Sequence, residues 1–308
     1  MANETPVLLL GYNRPYQMRG LIQSLAPLKP KLILFSVDGP KTNRPRDAEL
    51  VRQTQELINE ITWDAEIHTR FRDCNLGLRR AVVDAITWAS SDFGKVIVLE
   101  DDVRAGPQLL SFLNYNLEKY ENQREIAHIN GYNLVPANHI TKPQVGSRLS
   151  IYIESYAWAT WERAWQNYDD DLVWAKNASI NELKSICGTR FGALKWKQNF
   201  SNAATGRIDT WAYRWLATIW ANRFKIVSPN LNISSYHGRT DGTHTFFKVR
   251  YHEQDVNHLE IKQDGEVITV DKLADSWLKR NIFKETVMGV ANGVAISELL
   301  KVKKALNY

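Results

Sequence analysis

The sequence predicts an α/β protein with a mostly parallel central sheet and helices on both faces. Two observations carry that expectation. Short apolar runs alternate with longer stretches of helical apolar spacing from Pro6 to Asn130. The runs are continuous rather than alternating, as in strands buried on both faces.

Taken in order, Pro6 to Leu10 (PVLLL) is a buried strand ending in Gly11-Tyr12-Asn13-Arg14-Pro15, and Tyr16 to Leu25 has helical spacing. Leu32 to Val37 is the second strand and stops at Asp38-Gly39-Pro40, a strong turn. Asp47 to Ile61 is an amphipathic helix with Leu50, Val51, Leu57, Ile58 and Ile61 on its apolar side. Glu66 to Phe71 is a third strand and Leu78 to Ala89 the next helix. The fourth strand begins at Lys95, a helix spans Pro107 to about Tyr120, and Ile126 to Asn130 is a further strand. Beyond Gly131 the alternation fades and aromatics thicken: Tyr152, Tyr156, Trp158, Trp161, Trp165, Tyr168 and Trp174. Helices are expected near Ile180 to Ile186, Phe191 to Asn202 and Trp211 to Asn222. No linker rich in Pro, Gly or Ser divides the chain and no repeat is visible, so the second half reads as an elaboration packed on the sheet. The expected division is 1–131, a ligand-binding α/β half; 132–270, an aromatic-rich half of the same domain; and 271–308, a helical tail.

The fourth strand, KVIVLEDDV, organises the rest. Val96, Ile97, Val98 and Leu99 run straight into Glu100, Asp101 and Asp102. Unpaired charges are too costly to continue into a core, so the acids emerge at the strand's carboxyl end, where open α/β sheets bind ligands. Repulsion among three adjacent carboxylates is relieved by a hard divalent cation, Mn²⁺ or Mg²⁺, which takes oxygen ligands and substrate phosphates. An isolated Asp-Asp reads as a solvated acidic turn; after a buried strand the functional reading takes precedence. The first strand's loop has neither the G-x-G-x-x-G fingerprint nor a P-loop lysine. Gly11, Asn13 and Arg14 still form a candidate nucleotide-binding loop, with Arg14 able to meet a base or phosphate. Asp38 holds the equivalent place on the second strand and can accept from an imide N–H or a ribose hydroxyl. For each alone, a turn or cap is the competing role.

Composition narrows the class. The 308 residues are 44% hydrophobic and 24% charged, as in a globular protein, with net charge +5. That excess favours anionic partners, while no basic run or helix-turn-helix signature points to nucleic acid. Cys74 and Cys187 have neither metal-ligand spacing nor a disulfide framework, which suits a reducing compartment. The N-terminus does not read as a signal peptide, and no stretch is long enough to span a bilayer. Aromatic side chains stack on sugars and also build cores, so the 11 tryptophans fit either use.

The segments LLLGYNRP, FSVDGP, NLGLRRAV and VIVLEDDV resemble GT-A glycosyltransferases similar to N-acetylglucosaminyltransferase I. SYAWATWERAW, IDTWAYRW and SPNLNISSYHGRTDGTHTFF resemble a bacterial branch of those enzymes from surface-polysaccharide loci. The resemblance spans Pro6 to Phe247 as an ordered series of short motifs. It implies the GT-A fold and a metal-dependent inverting transferase of hexosyl or N-acetylhexosaminyl type. The donor would be a nucleoside-diphosphate sugar, a UDP-sugar above all, and the acceptor a saccharide or lipid-linked saccharide. It further implies that Arg14 and Asp38 contact the nucleoside, that Glu100 and Asp101 touch the donor sugar and ribose, and that Asp102 binds the metal. The alternatives are a surface ion pair for Arg14 and a capping acid for Glu100. Asp209 is the candidate base, with an N-cap as its competing role. Relatives often carry an acid where this chain has Ala212. His244 is the histidine implied at the diphosphate and Arg239 a cation beside it, with an ordinary surface arginine as the alternative; His237 is a weaker metal ligand. The implied setting is cytoplasmic, at the inner face of the membrane. Two rivals remain: a sugar-1-phosphate nucleotidyltransferase, which would need a glycine-rich first loop, and a catalytically silent sugar-binding or scaffold protein. In the tail from Asp271, apolar residues and two basic clusters fit either a helix packed on the domain or one lying on an anionic membrane. Oligomeric state is left open.

Overall fold

The computed structural model describes residues 5–238 and 269–295. The first half alternates β1 (Val7–Gly11), α1 (Pro15–Leu25), β2 (Leu32–Val37), α2 (Asp47–Glu56), β3 (Glu66–Phe71), α3 (Leu78–Phe93) and β4 (Lys95–Glu100). A short β5 (Val103–Ala105), α4 (Leu109–Lys119) and β6 (Ile126–Asn130) follow. The remainder contributes β7 (Ser147–Ser150), β8 (Ala157–Trp161), α5 (Glu162–Trp165), α6 (Val173–Asn177), α7 (Ile180–Cys187), α8 (Arg190–Ala204) and α9 (Ala212–Ala221). Then come β9 (Lys225–Pro229), β10 (Ser234–Tyr236) and α10 (Lys272–Asn281).

The expected α/β architecture is observed: one 8-stranded sheet in the order β3-β2-β1-β4-β8-β6-β9-β7. β1 pairs in parallel with β2 and β4, β2 with β3, and β6 with β9. Only β8, antiparallel to β4 and β6, and β7, antiparallel to β9, run the other way. The carboxyl ends of β1, β2, β4 and β6 therefore share one edge. Alternate residues of each strand serve opposite faces. Val7, Leu9, Ile33, Phe35, Ile97 and Leu99 pack with Met18, Leu21 and Ile22 of α1 and Phe112 and Leu113 of α4. Leu8, Leu10, Leu32, Leu34, Val96 and Val98 pack with Val82 and Ile86 of α3 and with the aromatic half. Each such side chain stabilises the fold by about 1.5–3 kcal/mol on burial, which is why β1, β2 and β4 carry apolar runs.

Local chemistry sets the helix ends. Pro15 opens α1, where a missing N–H is harmless. Gly94 ends α3 at φ 75°, a left-handed conformation that costs glycine little. Ser179 and Glu182 form a reciprocal capping box on α7. The expected Asp47–Ile61 helix is α2 followed by a tighter 3-10 turn at Leu57–Glu60, and the helix expected from Pro107 begins at Leu109.

The greatest departure from expectation is β8. AWATW lies inside the sheet between β4 and β6, with Ala157 and Ala159 on one face and Trp158 on the other. Five residues of small-large alternation carry little strand signal; antiparallel insertion beside β4 decides the outcome. The tryptophans are chiefly core: Trp158, Trp196, Trp215 and Trp220 are fully buried, and Trp158 stacks on Trp211 with centroids 5.2 Å apart. In the tail, Asp271 caps α10 by accepting from the N–H groups of Leu273 and Ala274. Ala274, Trp277 and Leu278 are buried, so α10 packs on the domain. Residues 287–295 are helical, with Gly289 and Gly293 buried and Val287 and Met288 exposed. A Cβ on Gly293 would come within 2.1 Å of the Gln198 Oε1, so this helix lies closely against α8. Among the described residues, no helix is long and apolar enough to cross a membrane.

Candidate functional site

The site is built on the shared carboxyl edge. β1 runs into the Gly11-to-Pro15 loop, which is clamped by Asp47, a residue that the sequence marks only as a helix start. The Tyr12 hydroxyl and the Asn13 amide donate to its two oxygens, each at 2.5 Å, and the Lys41 N–H donates at 2.6 Å. Burial works against the Asp47 charge, but these donors outweigh it and hold the carboxyl below its usual range.

At the end of β4, Asp101 and Asp102 are buried, at 2% and 4% exposure, unlike the solvated acidic turn that is the competing reading of the triplet. Arg14 makes that burial tolerable. Its Nε donates to Asp101 Oδ2 at 3.0 Å, its Nη2 pairs with Asp101 Oδ1, and its Nη1 donates to Asp102 Oδ2 at 3.1 Å. Burial opposes the Arg14 charge, yet the two acids prevail and raise its pKa. Asp102 Oδ1 is buried and has no hydrogen-bond partner. Glu100 is half-buried. Burial and repulsion from Asp102 and Asp101 push its carboxyl up, while Arg14 and the Trp211 indole favour its charged form.

β10 pairs antiparallel with β5 and carries a second wall to the acids. The His237 N–H donates to the Asp102 carbonyl at 2.7 Å, and the His237 ring bonds Ser235 Oγ at 3.0 Å. A Cβ on Gly238 would lie 2.5 Å from Asp102 Oδ2 and 2.3 Å from the Tyr236 hydroxyl, so only glycine fits against the acid there. Arg104, beneath, donates to the carbonyls of Asp101 and Val103 and to Gln17 Oε1. Gln17 and Arg104 carry no sequence signal, because they meet only where α1 and β5 come together, while Tyr236 lies in the family-like segment without a role of its own there.

Asp38 is on the same edge but fully engaged. It accepts from Gly39 N–H at 2.9 Å, Leu76 N–H at 2.9 Å, Gly77 N–H at 3.1 Å and the Asn75 amide at 2.9 Å. A carboxylate offers about four acceptor sites, so Asp38 here joins the end of β2 to the start of α3. Asp209 is exposed and accepts from Arg79 Nε at 3.1 Å, while Arg79 also pairs with Asp170. It does not cap α9, whose N-cap is Trp211. Since Trp211 stands beside Glu100 and Gly77 beside Asp209, Asp209 belongs to the same edge as the acid triplet. Arg239 and His244 lie outside the described residues.

The donor set suits a hard cation. Asp102 Oδ1 is a buried oxygen without a proton donor, although no cluster of three His, Cys, Asp or Glu side chains forms a cage among the described residues. Such a cation would take one protein carboxylate and fill its other positions from phosphate and water.

No family model matches the sequence, nor does any curated protein. Solved structures give partial overlaps. The mannosyltransferase PcManGT from Pyrobaculum calidifontis, in complex with GDP-Man and Mn²⁺, shares 9% identity over 71% of this chain and 74% of its own, with TM-score 0.35. The galactosyltransferase LgtC, in complex with donor and acceptor sugar analogues, shares 13% over 73% of each chain, with TM-score 0.36. The bifunctional glycosyltransferase WbbM, in its apo form, shares 13% over 66% of this chain and 38% of its own, with TM-score 0.31.

Proposed function

We propose that the protein is a metal-dependent, inverting GT-A glycosyltransferase. It moves a hexosyl or N-acetylhexosaminyl group from a nucleoside-diphosphate donor, a UDP-sugar, to a saccharide or lipid-linked acceptor in bacterial surface-polysaccharide synthesis. Its setting is the cytoplasm, at the inner face of the membrane. The observation that carries this is the orphaned, buried Asp102 Oδ1 beside Arg14 at the carboxyl edge of the sheet.

Asp102 would hold Mn²⁺ or Mg²⁺; when bound, the cation offsets the charge that grows on the departing diphosphate. Gly11, Asn13 and Arg14 form the donor loop, kept in shape by Asp47. Glu100 and Asp101 face the donor, and Asp38 acts by fixing residues 75–77 at its rim. Arg239 and His244 are assigned to the diphosphate from the family resemblance alone. Asp209 takes the acceptor hydroxyl proton as that oxygen bonds to the anomeric carbon. The anomeric carbon–phosphate oxygen bond breaks opposite it, and its electron pair leaves on the diphosphate. Asp209 must part from Arg79 to do so.

Thermal unfolding against a panel of nucleotide sugars tests the assignment. One UDP-sugar should raise the midpoint only when Mn²⁺ is present. No response to any nucleotide sugar with metal would overturn it. The Arg79–Asp209 pair and Ala212 favour one rival, a silent sugar-binding protein; donor hydrolysis by the purified chain separates the two.

A further inference from the structure

The acid triplet already contains a cation of its own. Arg14 is anchored through Asp101 by two hydrogen bonds and reaches Asp102 by one, so three of its five N–H groups are engaged. The other two N–H groups make no hydrogen bond among the described residues, and the side chain keeps 25% of its surface accessible. Arg104 acts on the two acids only through space, since its donors go to two carbonyls and to Gln17. Arg14 is therefore the guanidinium hydrogen-bonded to the carboxylates of both Asp101 and Asp102 among the described residues. The partnerless oxygen belongs to the carboxylate that Arg14 holds at 3.1 Å through its other oxygen. A divalent cation on Asp102 Oδ1 would sit within a few ångström of the guanidinium, at a poorly screened site.

Building on the metal-dependent reading, we propose that Arg14 is a tethered counter-cation that opposes metal binding until a diphosphate arrives. A diphosphate is the ligand that reverses the conflict. Its oxygens accept from the two spare N–H groups of Arg14 while also coordinating the metal, so both positive groups are satisfied together. Metal and nucleoside diphosphate then bind cooperatively, and each raises the affinity of the other by the same factor. Asp101, on this view, is a positioning residue that orients Arg14 rather than a metal ligand.

The test titrates full-length protein with Mn²⁺, following free metal by electron paramagnetic resonance, with and without saturating UDP. Wild type should bind Mn²⁺ at least about tenfold tighter with UDP than without. Arg14→Gln should bind Mn²⁺ alone about tenfold tighter than wild type, with the UDP effect reduced to less than about threefold. Arg14→Lys keeps the charge and should retain most of the coupling. Unchanged or weaker Mn²⁺ binding by a folded Arg14→Gln overturns the proposal. So does equal Mn²⁺ affinity with and without UDP in wild type, a readout that stands even if Arg14→Gln fails to fold. Asp102→Asn separates the two levels: if it binds Mn²⁺ as wild type does, the metal site itself is misassigned, and the role of Arg14 falls with it.

Discussion

Asp102, Asp209 and Glu154 are three acids in three environments, and each makes a separate prediction. Asp102 lies at a strand end with one oxygen on Arg14, so Asp102→Asn keeps the shape and removes a charge. It should abolish the Mn²⁺-dependent stabilisation by donor while the circular dichroism spectrum stays unchanged. Full transfer activity with Mn²⁺ in that variant refutes the metal assignment. Asp209 is exposed and paired only at its rim, so Asp209→Asn should leave donor affinity near wild type and cut turnover about 100- to 10,000-fold. Normal turnover, or simple unfolding, leaves Asp209 a partner of Arg79 and nothing more. Glu154 is at 3% exposure with no hydrogen bond to either carboxyl oxygen. Burial pushes its pKa up to about 8, against the pull of buried Arg148 and the nearby Leu134 N–H. A raised carboxyl pKa means the folded state binds more protons than the unfolded chain. The stability it contributes is thus full below its ordinary value of 4.5 and is lost as pH rises through about 8. Asp275, likewise raised by burial to about 6, adds to the trend at lower pH. The melting temperature should fall between about pH 5 and pH 8.5, and Glu154→Gln should flatten that slope. An unchanged slope would mean Glu154 is charged in the fold.

Among the elements, the junction of β2 with α3 shows how little room the edge leaves. A Cβ on Gly39 would lie 2.4 Å from the Cys74 carbonyl carbon and 2.6 Å from its nitrogen, backbone atoms that cannot swing away. Gly39→Ala should therefore cost about 1–3 kcal/mol in urea unfolding, and loosen the loop that Asp38 holds. A neutral effect would show that this segment shifts freely. β1, β2 and β4 were legible because burial on both faces forces a continuous apolar run, whereas β3, EIHTRF at the sheet edge, is polar and half-exposed. β8 was not legible, since its short alternating run acquires strand geometry only between β4 and β6. Asp47 was read for its helix and not for its clamp, because Tyr12 and Asn13 lie 35 and 34 residues away.

For the molecule as a whole, the tail is the open surface. α10 and Glu285 are part of the packed body: Trp277 is buried, and Glu285 accepts from the Tyr152 hydroxyl at 2.6 Å and the Trp196 indole at 2.7 Å. Deleting everything after Asp271 would strip core side chains and so cannot isolate a membrane role. The outward residues of the next helix can, since Val287 and Met288 are 61% and 75% exposed. If the tail rests on an anionic bilayer near a lipid-linked acceptor, Val287→Ser with Met288→Ser should reduce co-sedimentation with anionic vesicles at low salt and leave unfolding unchanged. Wild-type protein that ignores such vesicles at low salt leaves the tail with its packing role alone.

By itself the sequence determined that the chain forms an open α/β sheet and that polar groups gather at the ends of three of its strands. Those properties depend on neighbours in sequence: an apolar run, a turn, an acid that cannot be buried unpaired. Tertiary structure decided what each polar group does there. Arg14 lies 87 residues from Asp101, Asn75 lies 37 from Asp38, and Arg79 lies 130 from Asp209. Each pairing gave a residue with several local roles a definite one, because a buried or half-buried charge must find an opposite charge or donors wherever the fold supplies them. Which acid keeps a buried oxygen without a partner is thus a property of the assembled edge, and in the triplet, among the described residues, it is Asp102.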